Sequence, residues 1–393
     1  MQITFVDTPD SWSQMLPISY TRPVADTRVG ILKISEKWSR RMGNGDYSFR
    51  TETYLQDLFQ EQQSKSLCIL GSVLPSTEIT KKIQSLKEDE VITHKDQLIA
   101  GYFSKEEPFE SGNRTVVGID HLDLVQYPWD IFRLNGQEIK ADFELITSGR
   151  QSEELQDPYA KVYGSQLFLE EGAKVKAAIL NTENGPIYLG KNAEVQEGAV
   201  IRGPFSLGEN AVVNVAAKIR GDSSVGPFSK VGGEISNSVI LGYSNKGHDG
   251  FLGNSVIGEW CNIGADSNNS NLKNNYTHVK MWDFNAGKFK DTGLQFCGLI
   301  MGDHSKCGIN TMFNTGTTVG VAANIFGHGF PRNFIPSFAW GGASGFTTYQ
   351  LKKAIETAEL VTARRNKILS DGEKSILTHI FKNTSSYRVW ENK

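Results

Sequence analysis

A histidine in a glycine-rich segment is the residue of this chain whose surroundings best suit chemistry. His248 lies in GYSNKGHDGFLG, between Gly247 and Asp249, and small neighbours let a ligand approach the backbone closely. An imidazole titrates near neutral pH, so it can take a proton from an attacking amine while amide or backbone donors stabilise the developing oxyanion. The alternative is a surface histidine with no chemical role. Which of the two His248 is depends on the structural elements that position it.

Those elements carry a repeat of six residues. An aliphatic side chain recurs at every sixth position from residue 189 to residue 231, and the spacing returns after a break. The first series is Leu189, Val195, Ile201, Leu207, Val213, Ile219, Val225 and Val231. The later positions are Ile257, Ile263, Met301, Cys307, Phe313, Val319 and Ile325.

A repeat of six matches neither the 3.6-residue period of an amphipathic helix nor the two-residue period of a half-buried strand. Propeller and leucine-rich repeats are longer. Three hexads close one coil of a parallel β-helix, in which inward side chains stack at the spacing of neighbouring strands, about 4.8 Å. The hexapeptide repeats therefore predict a left-handed parallel β-helix. A solenoid that serves only as a rigid spacer remains the alternative.

Composition narrows the class of protein. A chain of 393 residues is too long for one ordinary core and predicts two or three domains. A formal net charge of −3 provides no broad basic field, which argues against nucleic acid or a membrane as a partner. The start, MQITFVDTPDSW, is acidic where a signal peptide would be apolar, so we expect a cytoplasmic protein. The cysteines show no C-x-x-C pairing and are expected to be reduced packing residues: Cys68, Cys261, Cys297 and Cys307.

Three segments differ in pattern. Residues 1–160 are predicted to form an α/β domain, with strands at ITFVD, LCILGSV, VITH, QLIAGYF and RTVVGID and a polar helix at TEITKKIQSLKED. Residues 165–335 carry the hexads, interrupted between Gly264 and Met301 by a polar segment that we expect to be a functional loop at a coil corner. Residues 340–393 predict a helix with a threonine cap in TTYQLKKAIETAELVTARRNKIL and a second around EKSILTHIFK.

The segment GHDGFLGNSVIGEWCNIGADSNNSN resembles the acetyltransferase half of the bifunctional UDP-N-acetylglucosamine diphosphorylase and glucosamine-1-phosphate N-acetyltransferase family. The match includes the histidine, the LG of the next coil, an NIGAG-like turn and a second asparagine nine residues later. IMGDHSKCGINTMFNTGTTVGVAANIFG keeps that family's register over four hexads. The resemblance implies that His248 is the catalytic base, that acetyl-CoA is the cosubstrate, and that the chain forms a homotrimer with its C-terminal helices near the coenzyme.

The same resemblance assigns residues to the substrates. Asn262 and Asn271 would contact the sugar and the acetyl carrier. Arg220 would grip the sugar phosphate, a role that suits a guanidinium fork, and Glu234 would be the acid of the next coil. Phe251 would lie on the substrate side, where the family usually has a tyrosine.

Further assignments concern the coenzyme and a missing charge. Ala265, Ile309 and Gly327 would contact coenzyme A. Ser236 stands where the family usually has a lysine. The interrupting segment offers three lysines that could replace it: Lys280, Lys288 and Lys290.

In the N-terminal segment, LPISYTRPVADTRVGILKISEKW resembles a divergent form of the family's sugar nucleotidyltransferase domain and lacks the usual G-x-G-T-R-M signature. Nucleotidyl transfer needs positive charge on the triphosphate and a carboxylate-held Mg²⁺. The candidates are Arg22, Arg28 and Lys33 for the nucleotide and Asp7 for the metal. The alternatives are that the arginines only pair with acidic neighbours and that the domain is degenerate.

The resemblance implies a bifunctional enzyme. It would transfer acetyl from acetyl-CoA to glucosamine 1-phosphate and then couple N-acetylglucosamine 1-phosphate to UTP, giving UDP-N-acetylglucosamine. Alternatives are an acyltransferase or nucleotidyltransferase acting on another sugar phosphate, a non-catalytic trimeric scaffold, and a zinc-dependent carbonic anhydrase built on the same solenoid. The last needs three imidazoles, and His278, His304 and His328 lack the close spacing it requires.

Overall fold

The N-terminal part folds as a six-stranded mixed sheet with helices packed against it. The computed structural model describes residues 2–392. In spatial order the strands are Tyr47–Arg50, Ile3–Val6, Ser66–Leu70, Gln97–Phe103, Glu90–His94 and Thr115–Gly118. The five predicted strands are present, and the predicted polar helix is Thr77–Gln84.

Four α-helices belong to this part: α1 (Pro9–Gln14), α2 (Ile34–Arg41), α3 (Thr77–Gln84) and α4 (Pro128–Thr147). Short 3₁₀ turns span Ile18–Tyr20, Val24–Asp26 and Thr53–Leu55. The sequence analysis did not predict α4. Its start is nevertheless signalled in the sequence, because Pro128 occupies the first turn and the Asp130 carboxylate accepts hydrogen bonds from the backbone N–H groups of Gln126 and Tyr127.

From residue 161 the chain winds into a parallel β-helix with three faces. The first face contains Lys161–Tyr163, Ile179–Asn181, Val200–Arg202, Lys218–Ile219, Glu234–Ser236 and Phe251–Gly253, followed by the pair Asn268–Asn269 and Met312–Phe313. The second contains Leu167–Leu169, Ile187–Leu189, Phe205–Leu207, Ser223–Val225, Val239–Gly242, Val256–Glu259, Leu299–Met301, Thr317–Val319 and Phe334–Ile335. The third contains Lys174–Val175, Glu194–Val195, Val212–Val213, Lys230–Val231, Asn245–Lys246, Asn262–Ile263, Lys306–Cys307, Asn324–Ile325 and Ala339–Gly342.

The hexad residues form the core of this β-helix. All eight positions of the first series are at most 2% exposed, and the later positions are buried as well. Each coil buries its apolar side chains only against the coils before and after it, so the period of the sequence fixes the architecture. The predicted fold class is confirmed, and the four cysteines are buried and free of disulfides.

The interrupting segment forms a hairpin rather than an extruded loop. Its strands, Lys280–Asp283 and Lys288–Asp291, pair antiparallel. Met281 is buried, and Trp282 stacks on Phe334 with ring centroids 4.2 Å apart. The hairpin therefore packs against the β-helix, and the polar residues of the segment lie on the outer surface of the hairpin.

The C-terminal helices begin later than predicted. Residues Gly345–Thr348 pair antiparallel with Ala339–Gly342, so the predicted threonine cap lies in a strand. Helix α5 spans Leu351–Ala363 with Gln350 at its N-cap, where no side chain caps the helix. Helix α6 spans Asp371–Asn383 and is capped by Ser370. Two short 3₁₀ turns follow, Ser385–Tyr387 and Val389–Asn392.

The α/β part packs on the second face of the β-helix through α4. Outward side chains of that face join the core of the α/β part, namely Val239, Leu241, Val256 and Ile300. The Asn135 amide of α4 also donates a hydrogen bond to the Asp222 carbonyl oxygen at 2.9 Å. No helix within residues 2–392 is long and apolar enough to cross a membrane.

Candidate active site

A cleft of about 740 Å³ lies on the third face of the β-helix. Its floor is a row of outward side chains from four successive coils, held in register by strand pairing: Lys230, Asn245, Asn262 and Lys306. The two corners that bound this face form the side walls. The end of α5 lies beside the cleft and contributes Val361, Arg364 and Arg365 to its lining.

His248 lies at the corner between the third face and the first face of the following coil. Its side chain is exposed and lines the cleft. Ala265 and Ile309 occupy the same corner in the next two coils and also line the cleft. Gly327 holds this corner one coil further on, outside the cleft lining. The structure thus stacks the predicted base and the three predicted coenzyme contacts in one column.

The glycine two residues after His248 has a structural explanation. Gly250 has a φ of +112°, and a Cβ placed there would lie 2.2 Å from the Ser267 carbonyl oxygen of the next coil. Close packing between coils therefore excludes a side chain at this position. On the other side of the histidine, the Asn214 amide donates a hydrogen bond to the Gly247 carbonyl oxygen at 2.7 Å.

The opposite corner is aromatic. The rings of Tyr243 and Trp260 stack with centroids 4.3 Å apart, and both line the cleft. His304 stacks beyond Trp260, where burial lowers the pKa of its imidazole to about 3. His304 is therefore neutral across the physiological range of pH.

The cleft holds positive charge that no carboxylate neutralises. Within residues 2–392, Lys230, Lys306, Arg364 and Arg365 form no ion pair with Asp or Glu, although all four line the cleft. Arg365 donates a hydrogen bond to the Asn245 side-chain oxygen at 3.2 Å, while its buried Nε has no partner in the described structure. Burial and the neighbouring Arg364 lower the pKa of Arg365. Such a site suits an anionic ligand.

The predicted sugar-phosphate residues lie around the corner from His248, on the first face. The Arg220 Nε lies 3.0 Å from the Glu234 Oε1, and Glu234 is in register with Phe251. The Asn271 amide donates to the Asn254 side-chain oxygen at 2.8 Å, outside the cleft lining. The predicted site residues therefore divide between two faces that meet at His248.

The lysines of the hairpin do not supply charge to the cleft. None of Lys280, Lys288 and Lys290 contributes to its lining. Lys290 instead donates a hydrogen bond to the Tyr127 hydroxyl and lies over its ring. The hairpin holds Lys290 against the α/β part, whereas the cleft receives its cations from the third face and α5.

The predicted nucleotide contacts in the α/β part are engaged with protein groups. Arg22 is 4% exposed, and its guanidinium pairs with the carboxylates of Glu259, at 3.1 Å, and Asp303, both in the β-helix. Lys33 pairs with Asp26 at 2.8 Å. Arg28 donates to a backbone carbonyl oxygen three residues away. The acidic pairing left open for the two arginines is thus present for Arg22, whereas Arg28 forms no ion pair with a carboxylate within residues 2–392.

Asp7 does not fit a metal ligand in this arrangement. Its carboxylate accepts hydrogen bonds from the Val24 N–H, at 3.2 Å, and from the Thr51 hydroxyl, at 2.7 Å. Burial raises the pKa of Asp7 to about 7, so the group is partly protonated near neutral pH. Within residues 2–392, no three acidic, histidine or cysteine side chains are grouped to hold a metal ion.

The three histidines of the carbonic anhydrase alternative do not converge. His278 faces Asp291 across the hairpin, with the two side chains 3.5 Å apart. His304 packs on Trp260 at the corner between the second and third faces. His328 is exposed beyond the strand Asn324–Ile325.

Sequence reasoning missed the cationic rim of the cleft. Arg364 and Arg365 form the ARR of the predicted helix, and only tertiary packing brings that helix beside the third face. Lys230 and Lys306 precede inward hexad residues, so their outward direction followed from the repeat. The signal in the sequence that could have revealed the floor of the cleft is a polar residue immediately before the inward residue in several successive coils.

Comparisons with known proteins agree with the two-part architecture. The model of the sugar nucleotidyl transferase family matches residues 3–151. The bifunctional protein GlmU of Methanocaldococcus jannaschii is 33% identical over 87 residues, which is 22% of this chain and 21% of that protein. The bifunctional sugar-1-phosphate nucleotidylyltransferase/acetyltransferase of Sulfurisphaera tokodaii is 33% identical over 161 residues, which is 40% of this chain and 37% of that protein.

The match therefore spans well under half the length of these relatives. An Arabidopsis UDP-N-acetylglucosamine acyltransferase structure matches 54% of this chain and 81% of its own chain, at 16% sequence identity. The TM-score is 0.25, so this likeness is too distant to bear on function. By its family-model match and its curated relatives, the chain is related to the GlmU-like family of bifunctional sugar-1-phosphate nucleotidylyltransferase/acetyltransferases. These similarities support the family predicted from the sequence.

Proposed function

We propose that this protein transfers an acetyl group from acetyl-CoA to glucosamine 1-phosphate at the third-face cleft. One observation carries the proposal: the exposed His248 imidazole lines an open cleft that four cations without carboxylate partners also line. Coenzyme A carries its negative charge on phosphates, which Arg and Lys side chains bind well. The exposed Ile309 and the stacked Trp260 offer apolar surface for the rest of the carrier.

The chemistry follows from the position of His248. The neutral amine of the sugar attacks the thioester carbonyl carbon, a C–N bond forms, and the C–S bond of the carrier breaks. His248 accepts the proton that the amine loses and returns it to the departing thiolate. Asn262 lines the same cleft and is the amide donor that we assign to the acyl oxygen.

The acceptor sugar would approach from the first face. Arg220 is 68% exposed at its side chain, so its guanidinium can exchange Glu234 for a phosphate. Phe251 and Asn271 lie on the same side of His248 and would contact the sugar. A panel of amino-sugar phosphates in the acetyl-transfer assay distinguishes glucosamine 1-phosphate from other acceptors.

For the α/β part we propose uridylyl transfer from UTP to N-acetylglucosamine 1-phosphate, with Mg²⁺ required. The family-model match over residues 3–151 supports nucleotidyl transfer as the kind of reaction. The nucleotide contacts that we propose are Arg28 and Lys33, which are both partly exposed. Arg22, also predicted from the sequence, is instead buried in its ion pairs with Glu259 and Asp303. Release of pyrophosphate from UTP, with and without Mg²⁺, tests this activity separately from acetyl transfer.

We also propose that the protein assembles as a homotrimer in the cytoplasm. Exposed apolar side chains on the first face, Ile179 and Val200, support self-association through this face. Sedimentation equilibrium should give three times the 43.5 kDa of one chain. A monomer at micromolar concentration would contradict the proposed assembly.

The experiment that tests acetyl transfer is His248→Ala, assayed by free thiol release from acetyl-CoA with glucosamine 1-phosphate. We expect kcat to fall about 100-fold or more, because general-base catalysis contributes that much. The matched control is His121→Ala, which removes an exposed histidine of the α/β part and should leave the rate unchanged. Wild-type thiol release by the His248 variant would refute the assigned base.

A further inference from the structure

Lys246 breaks the rule that inward hexad positions are apolar. It is 2% exposed and pairs in register with the buried Val231 of the preceding coil. The following coils place Ile263, Cys307 and Ile325 at the same inward position. A lysine ammonium thus lies inside the β-helix, in the coil that carries His248.

Within residues 2–392 the Lys246 ammonium forms no ion pair with a carboxylate. Its Nζ donates hydrogen bonds to the carbonyl oxygens of His248 and, at 3.1 Å, of Asp249. Burial lowers the pKa of Lys246 to about 8. Removing an ammonium from water is unfavourable, so an aliphatic residue here, as in the neighbouring coils, would stabilise the fold more easily.

We propose that Lys246 is a positioning residue for His248. From inside the coil its ammonium holds two successive carbonyl groups of the turn that presents the imidazole to the cleft. Proteins depart from local sequence rules mainly at functional sites. An inward lysine that destabilises the core but contacts only the turn of His248 fits such a site. The proposal rests on the proposed function, because it assigns Lys246 a role through the catalytic base.

Hydrogen bonds hold the turn that carries His248 from both sides. Lys246 fixes it from the interior, while the Asn214 amide holds the Gly247 carbonyl oxygen from the outer surface. Without the ammonium, the His248 carbonyl loses its donor inside the coil, and the turn can rotate its imidazole away from the substrate. A displacement of about 1 Å at a reacting group can reduce the rate about 100-fold.

The test uses Lys246→Met, which is close in shape, and Lys246→Ile, which installs the residue of the next coil. We expect kcat for acetyl transfer to fall about 10- to 100-fold in both, while KM for acetyl-CoA stays within about twofold. We expect the melting temperature to stay level or rise, because replacing a buried ammonium by an apolar side chain is often neutral or stabilising. Val231→Met is the matched control at the same inward position one coil earlier and should keep wild-type kcat.

A kcat within about twofold of wild type in either folded variant would overturn the proposal. So would an equal loss in the Val231→Met control, or failure of both Lys246 variants to fold, which would make the lysine a requirement of the core. The NMR resonances of the His248 ring provide a readout that is independent of activity: we expect them to shift or split in Lys246→Met. If His248→Ala kept full activity, the proposed function would fail, and an unchanged ring spectrum in Lys246→Met would separately overturn the positioning role.

Discussion

Among single residues, Asp7 shows how burial changes the chemistry of a side chain. Its carboxylate predicted a metal ligand, but the folded protein gives it another environment. Its carboxyl follows the first strand and accepts hydrogen bonds from Val24 and Thr51. Burial raises the pKa from 3.8 to about 7, because the charged form loses its hydration. The folded protein therefore binds a proton between pH 4 and 7 that the unfolded chain has already released.

This difference predicts a pH-dependent effect of Asp7→Asn. The raised pKa gives a stabilising contribution that is complete below pH 3.8 and is lost as pH rises through about 7. Asparagine mimics the protonated acid, so the free energy of unfolding of the variant should exceed that of wild type above pH 7 and match it below pH 4. Urea unfolding at pH 4 and pH 8 measures this, and an equal difference at both would contradict it.

At the scale of elements, α5 is the element that completes the cleft. It ends at Ala363, so Arg364 and Arg365 follow its last turn, beside the outward row of the third face. The Arg365 hydrogen bond to Asn245 ties the end of the helix to the coil that carries His248. The helix therefore adds charge to a cleft that the third face itself lines with Lys230 and Lys306.

Removing the charge of Arg364 or Arg365 should weaken the binding of the coenzyme and leave the rate of the chemical step nearly unchanged. We expect Arg364→Gln and Arg365→Gln each to raise KM for acetyl-CoA about tenfold, the loss of one charged hydrogen bond, with little change in kcat. Lys352→Gln, an exposed cation at the other end of α5, is the control and should leave KM unchanged. Steady-state thiol release at varied acetyl-CoA measures both constants, and an unchanged KM in both arginine variants would remove the cationic rim from the binding site.

In the whole molecule, the α/β part and the β-helix share one core and one buried ion cluster. Arg22 reaches from the α/β part to Glu259 and Asp303 of the β-helix. Glu259 immediately precedes Trp260, which lines the third-face cleft, so the cluster joins the T-R-P segment to that coil. Buried charges are stable only while all partners remain.

Arg22→Met should therefore destabilise the molecule strongly. It leaves the buried Asp303 carboxylate and the partly buried Glu259 carboxylate without their cation, for which we expect a loss of about 3 to 5 kcal/mol in the free energy of unfolding. Lys65→Met breaks the exposed pair with Glu88 and should change it by less than about 0.5 kcal/mol. Denaturant unfolding compares the two, and equal small effects would show that the cluster contributes little.

The sequence by itself determined the β-helix and the place of His248 on it. Hexad residues such as Leu189 and Ile263 contact only neighbouring coils, so their period suffices to predict which side chains point inward. The same period also marks Lys246 as an inward residue between Ile240 and Leu252. Motif spacing likewise brought Ala265 and Ile309 to the corner of His248.

Only the tertiary structure decided which charges reach the cleft and which are buried. Arg22 and Arg365 are both arginines beside helical turns in the sequence. Arg22 nevertheless meets two carboxylates 237 and 281 positions away, whereas Arg365 meets none among the residues that the structure describes. The packing of α4 on the second face and of α5 beside the third depends on contacts between distant segments. No local period encodes such contacts, because the energy of a charged side chain is set by the groups that surround it after folding.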